Sequence, residues 1–287
     1  MTKIKVPQGE TVGETLDSLP ARLEKFSDTP GLDAQVLLAH VLGKPRSLVL
    51  AHPEAPLTRR RVAALEALVA RLEGGEPLPY VLGHWEFFGL QFDVTPHVLI
   101  PRPETELLVE HALGWLQRHP DCRSMVDIGT GSGCIGIALA VNVPDLQVLA
   151  TDISCPAVDV ARRNARKHAV TRRVECFCSD LLPADERSFD LIVANLPYIP
   201  TETLHGLRIF GREPALALDG GPDGLDLIRR LLSQVPERLE SPGLLLMEIE
   251  ATQGAQVLSL AYDVFSEAEI HLHKDIAGRD RLLEVLV

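Results

Sequence analysis

Two hydrophobic rhythms divide the chain. Over residues 1 to about 75, apolar positions recur every three or four residues, the spacing of amphipathic helices. Thr11 with Glu14 spells a capping box that opens a helix running to about Phe26. Pro30-Gly31 breaks the pattern. Leu32, Val36, Leu37, His40, Val41 and Leu42 resume it, and Gly43 and Pro45 stop it. A third run, from about Thr58 to Leu72, sets Val62, Leu65, Leu68, Val69 and Leu72 on one stripe before Gly74-Gly75. Arg59-Arg60-Arg61 falls in its first turn, where the helix dipole disfavours cations. That run reads as a solvated face or as a contact for an acidic or RNA partner. Four or five short helices with no nucleotide-binding motif form a recognition or docking module.

From Pro77 the rhythm changes. Trp85 to Val94 alternates as a β-hairpin turning near Gly89. A stiff charged stretch, Leu99-Ile100-Pro101-Arg102-Pro103-Glu104-Thr105-Glu106, leads into a helix carrying Leu108, His111, Ala112 and Trp115. Beyond Ser124, short apolar runs alternate with helical ones. Strands are predicted at 124–128, 146–152, about 174–178, 189–194 and 243–249, with two more around the turn His271–Arg281. The alternation implies a parallel, doubly wound sheet with right-handed crossovers. The loops after its first four strands then converge on one edge, where such sheets bind ligands.

The residues on that edge carry the candidate chemistry. After the first strand comes Asp127-Ile128-Gly129-Thr130-Gly131-Ser132-Gly133. Its glycines let backbone approach a ligand and leave amide donors at a helix N-terminus. Gly131, Gly133 and Gly136 fit a dinucleotide fingerprint. Asp127, Gly129, Gly131 and Gly133 fit the pattern of S-adenosylmethionine methyltransferases instead. Asp152 ends the second strand, where an acid accepts ribose hydroxyls under either reading. Asp180, after the third strand, is placed to receive an adenine amino group or to cap a turn. The fourth strand ends in Asn195-Leu196-Pro197-Tyr198. An Asn side-chain oxygen and a neighbouring backbone carbonyl both accept hydrogen bonds from one –NH2 group, beside an aromatic ring. The turn is built for a planar amide or an exocyclic amine, and the dinucleotide reading gives it no role. The glycines between Gly211 and Gly224 suggest a mobile or tightly folded lid.

Bulk properties narrow the field. The 287 residues suit about two domains, and a 46% hydrophobic, 24% charged composition is ordinary for globular proteins. A net charge of −12 argues against a general basic grip on nucleic acid. The start, Met1-Thr2-Lys3-Ile4-Lys5, lacks the apolar stretch of a signal peptide, and no run approaches a membrane span. Cys122, Cys134, Cys155, Cys176 and Cys178 fit no zinc spacing and read as reduced thiols of a cytoplasmic protein. His271 and His273 share a strand face but lack a third partner, so no metal site is expected.

Taken together these motifs resemble the HemK/PrmC family, the release-factor glutamine N5-methyltransferases. The likeness spans nearly the whole chain. It rests on Leu32-Asp33-Ala34, His40-Val41-Leu42-Gly43, Tyr80-Val81-Leu82-Gly83 with Glu86-Phe87, and Ile100 to Glu106. It rests further on the glycine loop, on Glu213-Pro214 through Gly224-Leu225, and on Gly278-Arg279-Asp280-Arg281. The resemblance implies a Rossmann-like class I methyltransferase, with a mainly parallel seven-stranded sheet, a small all-α domain and a hairpin linker. It implies a helical domain over 1–75 that docks release factors, a linker over 76–105 and a methyltransferase domain over 106–287. The acceptor it implies is the Gln of a Gly-Gly-Gln motif in class I peptide chain release factors, with no nucleic acid and no membrane involved.

By the same resemblance Gly129, Thr130, Gly131, Ser132 and Gly133 cradle the methionine part of S-adenosylmethionine. Asp152 holds its ribose, and Asp180 and Leu181 lie by its adenine. Asn195, Leu196, Pro197 and Tyr198 hold the acceptor amide, and no metal takes part. Leu196 stands where relatives carry the first Pro of Asn-Pro-Pro-Tyr, and Glu250 stands where they usually carry Gly. The expected chemistry is in-line methyl transfer to an amide nitrogen. Asn195 Oδ1 and the Leu196 carbonyl accept its hydrogens, Tyr198 packs on its plane, and no general base stands out. The rival readings are another amine acceptor, in nucleic acid or a ribosomal protein, a nicotinamide oxidoreductase, and a non-catalytic release-factor adaptor.

Overall fold

A computed structural model describes residues 10–287, so the amino-terminal stretch from Met1 to Lys5 lies outside the described residues. The chain forms two compact units, Met1–Gly83 and His84–Val287.

The first unit is helical: α1 (Val12–Leu23), α2 (Pro30–Leu42), α3 (Arg46–Ala51), α4 (Arg59–Glu73) and α5 (Leu78–Leu82). Thr11 and Glu14 close the predicted capping box, with Glu14 N–H donating to Thr11 Oγ1 at 3.2 Å and Thr11 N–H to Glu14 Oε2 at 2.8 Å. Pro30-Gly31 opens α2 and does not interrupt the chain. Proline fits a first helical turn because its missing N–H would have no intrahelical partner there. The αL residue Gly43 stops α2, and Thr58 caps α4. Leu19, Leu23, Leu37, Leu38, Leu65 and Val69 form the buried core. Helices α3 and α5 are too short for their periodicity to show in sequence. Arg71 of α4 satisfies the end of α5, donating to the Tyr80 and Val81 carbonyls at 3.0 and 2.9 Å.

The second unit opens with the hairpin β1 (His84–Phe87) and β2 (Leu90–Asp93), whose turn places Phe88 and Gly89 at positive φ. A short 3₁₀ turn, Pro103–Thr105, enters α6 (Glu106–Arg118). There follow β3 (Ser124–Ile128), α7 (Cys134–Asn142), β4 (Gln147–Asp152), α8 (Cys155–Lys167), β5 (Val174–Cys178) and β6 (Phe189–Ala194). The chain continues with α9 (Thr201–His205), α10 (Asp226–Gln234), β7 (Leu239–Glu248), α11 (Gly254–Val264), β8 (Glu269–Lys274) and β9 (Asp280–Leu286). The seven main strands stand in the order β5-β4-β3-β6-β7-β9-β8. The first five are parallel; β9 runs antiparallel to β7, and the edge strand β8 runs antiparallel to β9 and so in the direction of the other five.

Alternate strand residues serve opposite faces. Met125, Val148, Leu191 and Leu244 join the core under α6, α7 and α8. Val126, Leu149, Ile192 and Leu245 join the core under α10 and α11. Helix α11 was not anticipated from the pattern. Asn164 of α8 clamps the hairpin to the glycine loop: its Oδ1 accepts from Asp93 N–H at 2.7 Å, and its Nδ2 donates to the Asp93 and Ser132 carbonyls at 3.0 and 2.8 Å.

One expectation about the cysteines is corrected. Cys122, Cys134 and Cys176 are free and buried, but Cys155 and Cys178 form a disulfide. The neighbouring parallel strands β4 and β5 end side by side, which brings Cys155, just past one, within 5.2 Å of Cys178, at the tip of the other, Cα to Cα.

Candidate active site

Strand order reverses between β3 and β6, and the cleft opens there. Ile128 pairs with Ala194, so the glycine loop and the Asn195 turn leave the sheet side by side. Gly129, Gly131 and Gly133 all adopt positive φ. A Cβ on Gly129 would sit 3.0 Å from Leu196 Cδ2, so this glycine makes room for the buried Leu196 side chain. The unexpected leucine therefore packs beneath the turn and against the loop.

Asp127 locks the loop from below without lining the cleft. Its Oδ2 accepts from Thr130 Oγ1 at 2.6 Å and from Gly136 N–H at 3.0 Å. Full burial pushes its carboxyl up to about 6, against the pull of these two bonds. Asp152 Oδ2 accepts from Gly131 N–H at 2.9 Å, and its Oδ1 from Ser154 N–H at 2.8 Å. Burial raises this carboxyl, and the two amide bonds oppose the rise. Each oxygen keeps a lone pair for a further donor, such as a hydroxyl.

One cleft is lined by Gly129, Thr130, Gly131, Ser132, Asp152, Asp180, Leu181 and Asn195. Gly133 is not in its wall but turns into α7, where a Cβ would fall 2.7 Å from Ile137 Cδ1. Gly136, which the dinucleotide pattern requires, packs against Val148 and Asp127, away from the cleft. Asp180 lies at the mouth, where Arg230 Nη2 donates to it at 2.7 Å. Leu181 adopts positive φ, and its carbonyl accepts from Thr151 Oγ1 at 3.1 Å.

A second cavity adjoins the first. Leu99, Arg102, Asn195, Leu196 and Pro197 belong to both, and Tyr198 lines only the second. The Asn195–Pro197 turn is thus the partition between them.

The orientation of Asn195 depends on a residue that the motifs did not single out. Glu248 ends β7 and is 2% exposed. Its Oε2 accepts from Asn195 Nδ2 at 2.9 Å and from Thr105 Oγ1 at 2.6 Å, and its Oε1 from Tyr198 OH at 3.2 Å. Thr105 Oγ1 also accepts from Asn195 Nδ2, at 3.1 Å. Three donors converge on one carboxylate, so the Asn195 nitrogen must face Glu248 and Oδ1 must face away. Burial pushes the Glu248 carboxyl above its usual range, opposed first by the Thr105 hydroxyl and then by the Arg281 charge. Burial and then the Glu248 charge push the Tyr198 phenol up. The only sequence signal for Glu248 was an acid at the end of a buried strand.

The glycine-rich loop is tightly folded onto the turn. A Cβ on Gly224 would fall 2.2 Å from the Tyr198 carbonyl oxygen. Ile199 N–H donates to the Leu218 carbonyl at 3.1 Å, and Gln253 Nε2 to the Tyr198 carbonyl at 3.0 Å. The buried Glu213 ties the same loop to the stiff linker, accepting from Ile100 N–H at 3.1 Å and Arg102 Nη2 at 2.5 Å. Glu250 has a local role, accepting from Thr252 N–H at 2.6 Å in the turn before α11.

The residues present fit an adenosyl sulfonium cofactor. Gly129, Gly131 and Gly133 are left-handed, leaving backbone bare of side chains along the loop, the Asp152 carboxylate is already oriented by two amides, and Asn195 reaches the same cleft. The fold and this cleft define a class I methyltransferase.

Comparisons with known proteins agree. Residues 14–83 match the PrmC N-terminal domain, and residues 103–206 the Methyltransferase small domain. The chain is 42% identical over 258 residues to the release factor glutamine methyltransferase of Geobacter sulfurreducens, covering 88% of this chain and 89% of that protein. It is 41% identical over 275 residues to the release factor glutamine methyltransferase of Vibrio cholerae, covering 95% of each. Among solved structures, a methyltransferase from Pyrococcus furiosus superposes with a TM-score of 0.50 at 16% identity, over 80% of this chain and 98% of that one. The chain belongs to the release factor glutamine methyltransferase family. No helix among the described residues is long and apolar enough to cross a membrane.

Proposed function

We propose that this protein transfers a methyl group from S-adenosylmethionine to the side-chain amide nitrogen (N5) of the Gln in the Gly-Gly-Gln motif of class I peptide chain release factors. The reading is carried by the buried Glu248 carboxylate on Asn195 Nδ2, which leaves Asn195 Oδ1 as a fixed acceptor at the partition between two cavities. The names of the relatives support the same substrate.

When bound, the cofactor supplies an electrophilic methyl group on its sulfonium. The protein's task is to hold a poor nucleophile, because an amide nitrogen shares its lone pair with the carbonyl. Asn195 Oδ1 and the Leu196 carbonyl accept the two N–H bonds of the substrate amide and turn its nitrogen toward the cofactor cleft. As that nitrogen gains positive character these bonds strengthen, so they favour the transition state over the ground state. Pro197 stiffens the turn. Tyr198, held by Glu248, packs beside the amide plane. Gly129 to Gly133 and Asp152 hold the methionine and ribose parts, and Asp180 with Leu181 the adenine. No general base is needed if the proton leaves to water after transfer. Residues 1–75 dock the release factor, 76–105 link, and 106–287 catalyse. The protein acts in the cytoplasm, with no nucleic acid partner.

The test is a methylation assay with purified protein, S-adenosylmethionine and a class I release factor, read by mass spectrometry of the Gly-Gly-Gln peptide. A single added methyl on that Gln is the expected result. No gain, with cofactor binding intact, moves the acceptor elsewhere.

A further inference from the structure

A group of ligating side chains lies apart from the cleft, on the edge of the sheet. His111 is on α6, His273 on β8 and Glu284 on β9, and one ligand atom from each lies within 4.8 Å of the other two. His111 Nδ1 is 3.1 Å from Glu284 Oε2, and His273 Nε2 is 3.3 Å from Glu284 Oε1. The two imidazole centroids are 4.1 Å apart. His271, the other histidine of that strand, faces Glu269 at 2.9 Å and is not part of the group.

Three features point to a cation. First, Glu284 is seated at the edge of an apolar layer, beside the buried residues Leu246 and Leu282, where a carboxylate needs strong compensation. Secondly, His273 Nε2 is buried yet makes no hydrogen bond of acceptable geometry, although it faces the carboxylate. A buried ring nitrogen without a hydrogen bond is costly, and metal coordination removes that cost. Thirdly, bond lengths of about 2.0–2.2 Å in a tetrahedral zinc site imply donor atoms roughly 3.3 Å apart. His111 Nδ1 stands 3.1 Å from Glu284 Oε2 and His273 Nε2 3.3 Å from Oε1, so each imidazole already faces one carboxylate oxygen at about that spacing, and a turn of the carboxylate offers one oxygen to both.

We propose that His111, His273 and Glu284 form a binding site for one borderline divalent cation, zinc above all, with a fourth position left to water. Two imidazoles and one carboxylate suit zinc, cobalt or nickel, whereas magnesium and calcium prefer all-oxygen shells. The bound ion ties α6 to the antiparallel edge of the sheet. Because α6 begins one residue after Thr105, it also steadies the segment that contacts Glu248 and Asn195.

The test uses the full-length, tag-free protein, stripped with a chelator and dialysed. Zinc is titrated by calorimetry and by thermal unfolding, and cobalt by its visible spectrum. The expected result is one equivalent of zinc with a dissociation constant of about 1 μM or tighter. At 100 μM free zinc that adds about 2.7 kcal/mol of stability, a hundredfold excess over the dissociation constant, and raises the unfolding midpoint. His273→Gln and Glu284→Gln, each checked for a native circular dichroism spectrum and retained S-adenosylmethionine binding, should weaken zinc binding at least tenfold. Cobalt should give a nitrogen–oxygen spectrum with no thiolate charge-transfer band. Failure of the wild type to take up one equivalent at 100 μM zinc overturns the proposal. So does undiminished binding in both variants, or a thiolate band, which would place the ion on cysteine.

Discussion

The two halves of the cleft are built in opposite ways. The half proposed to hold the cofactor is local. Asp127, Gly129, Thr130, Gly131 and Gly136 lie within ten residues of one another, and its contacts are mainly backbone amides held by two carboxylates. The half proposed to hold the acceptor is assembled from distant segments. Thr105 lies 90 residues from Asn195, and Glu248 lies 53 residues from it. A local loop can be built by glycine conformations and a helix start. A site that must aim one side-chain oxygen requires a buried partner on another strand. Changes to the first half should therefore affect cofactor affinity and stability, and changes to the second should affect turnover.

The largest effect is expected at the acceptor. Asn195→Ala removes the oriented oxygen and should lower kcat by about 10²- to 10³-fold, the range for losing one preorganised transition-state hydrogen bond. Cofactor affinity, measured by calorimetry, should change less than about threefold. Equal losses in both would break the comparison, since the turn would then belong to the cofactor half.

Next comes a pH effect confined to the loop. The Asp127 carboxyl is raised from an ordinary 3.8 to about 6 by burial. Between these values the folded protein holds a proton that the unfolded chain has released. Stability from this group is therefore fully present below 3.8 and is lost as pH rises through 6. The loss is about 3 kcal/mol, at about 1.4 kcal/mol per pH unit. Denaturant midpoints measured from pH 3.5 to 7 should fall more steeply for the wild type than for Asp127→Asn. Parallel curves would place the raised pKa elsewhere.

Asp152→Asn should weaken S-adenosylmethionine binding by about 10- to 100-fold, the loss of roughly 1.5–3 kcal/mol from charge-assisted hydrogen bonds. At saturating cofactor kcat should hold within about threefold. A large kcat loss at saturation would show that Asp152 also shapes the transition state.

The smallest effect sharpens the comparison most. Glu248→Gln keeps the size of the side chain but presents an –NH2 group to at least one of three donors. Asn195 then loses its single orientation, and kcat should drop about tenfold, near 1.4 kcal/mol, with the cofactor dissociation constant unchanged. Rescue in Glu248→Asp to any degree, beside none in Glu248→Ala, would identify the negative acceptor as the needed feature. Identical losses in all three would reduce Glu248 to packing.

Much of this site was readable before the structure. The glycine loop, Asp152, Asp180 and the Asn195 turn were each marked by residue type at the end of an apolar run, and strand–helix alternation placed them on one edge. Glu248 was not marked, because a single acid ending a strand looks like any other until its three donors are known. His273 was set aside for want of a third partner, and α6 and β9 provide two.

The sequence by itself determined the longer helices, the strands and their order, though not α3, α5 or α11, because a 3.6-residue or two-residue hydrophobic period, a capping box, or a glycine turn depends only on neighbours in the chain. It also determined the family, through motifs along nearly its whole length. Only the tertiary structure decided which way Asn195 points, how Leu196 replaces a proline, that Cys155 meets Cys178, and that three side chains from one helix and two strands converge on the sheet edge. These depend on distances between residues far apart in sequence, which the sheet's strand order and register set and no local pattern encodes.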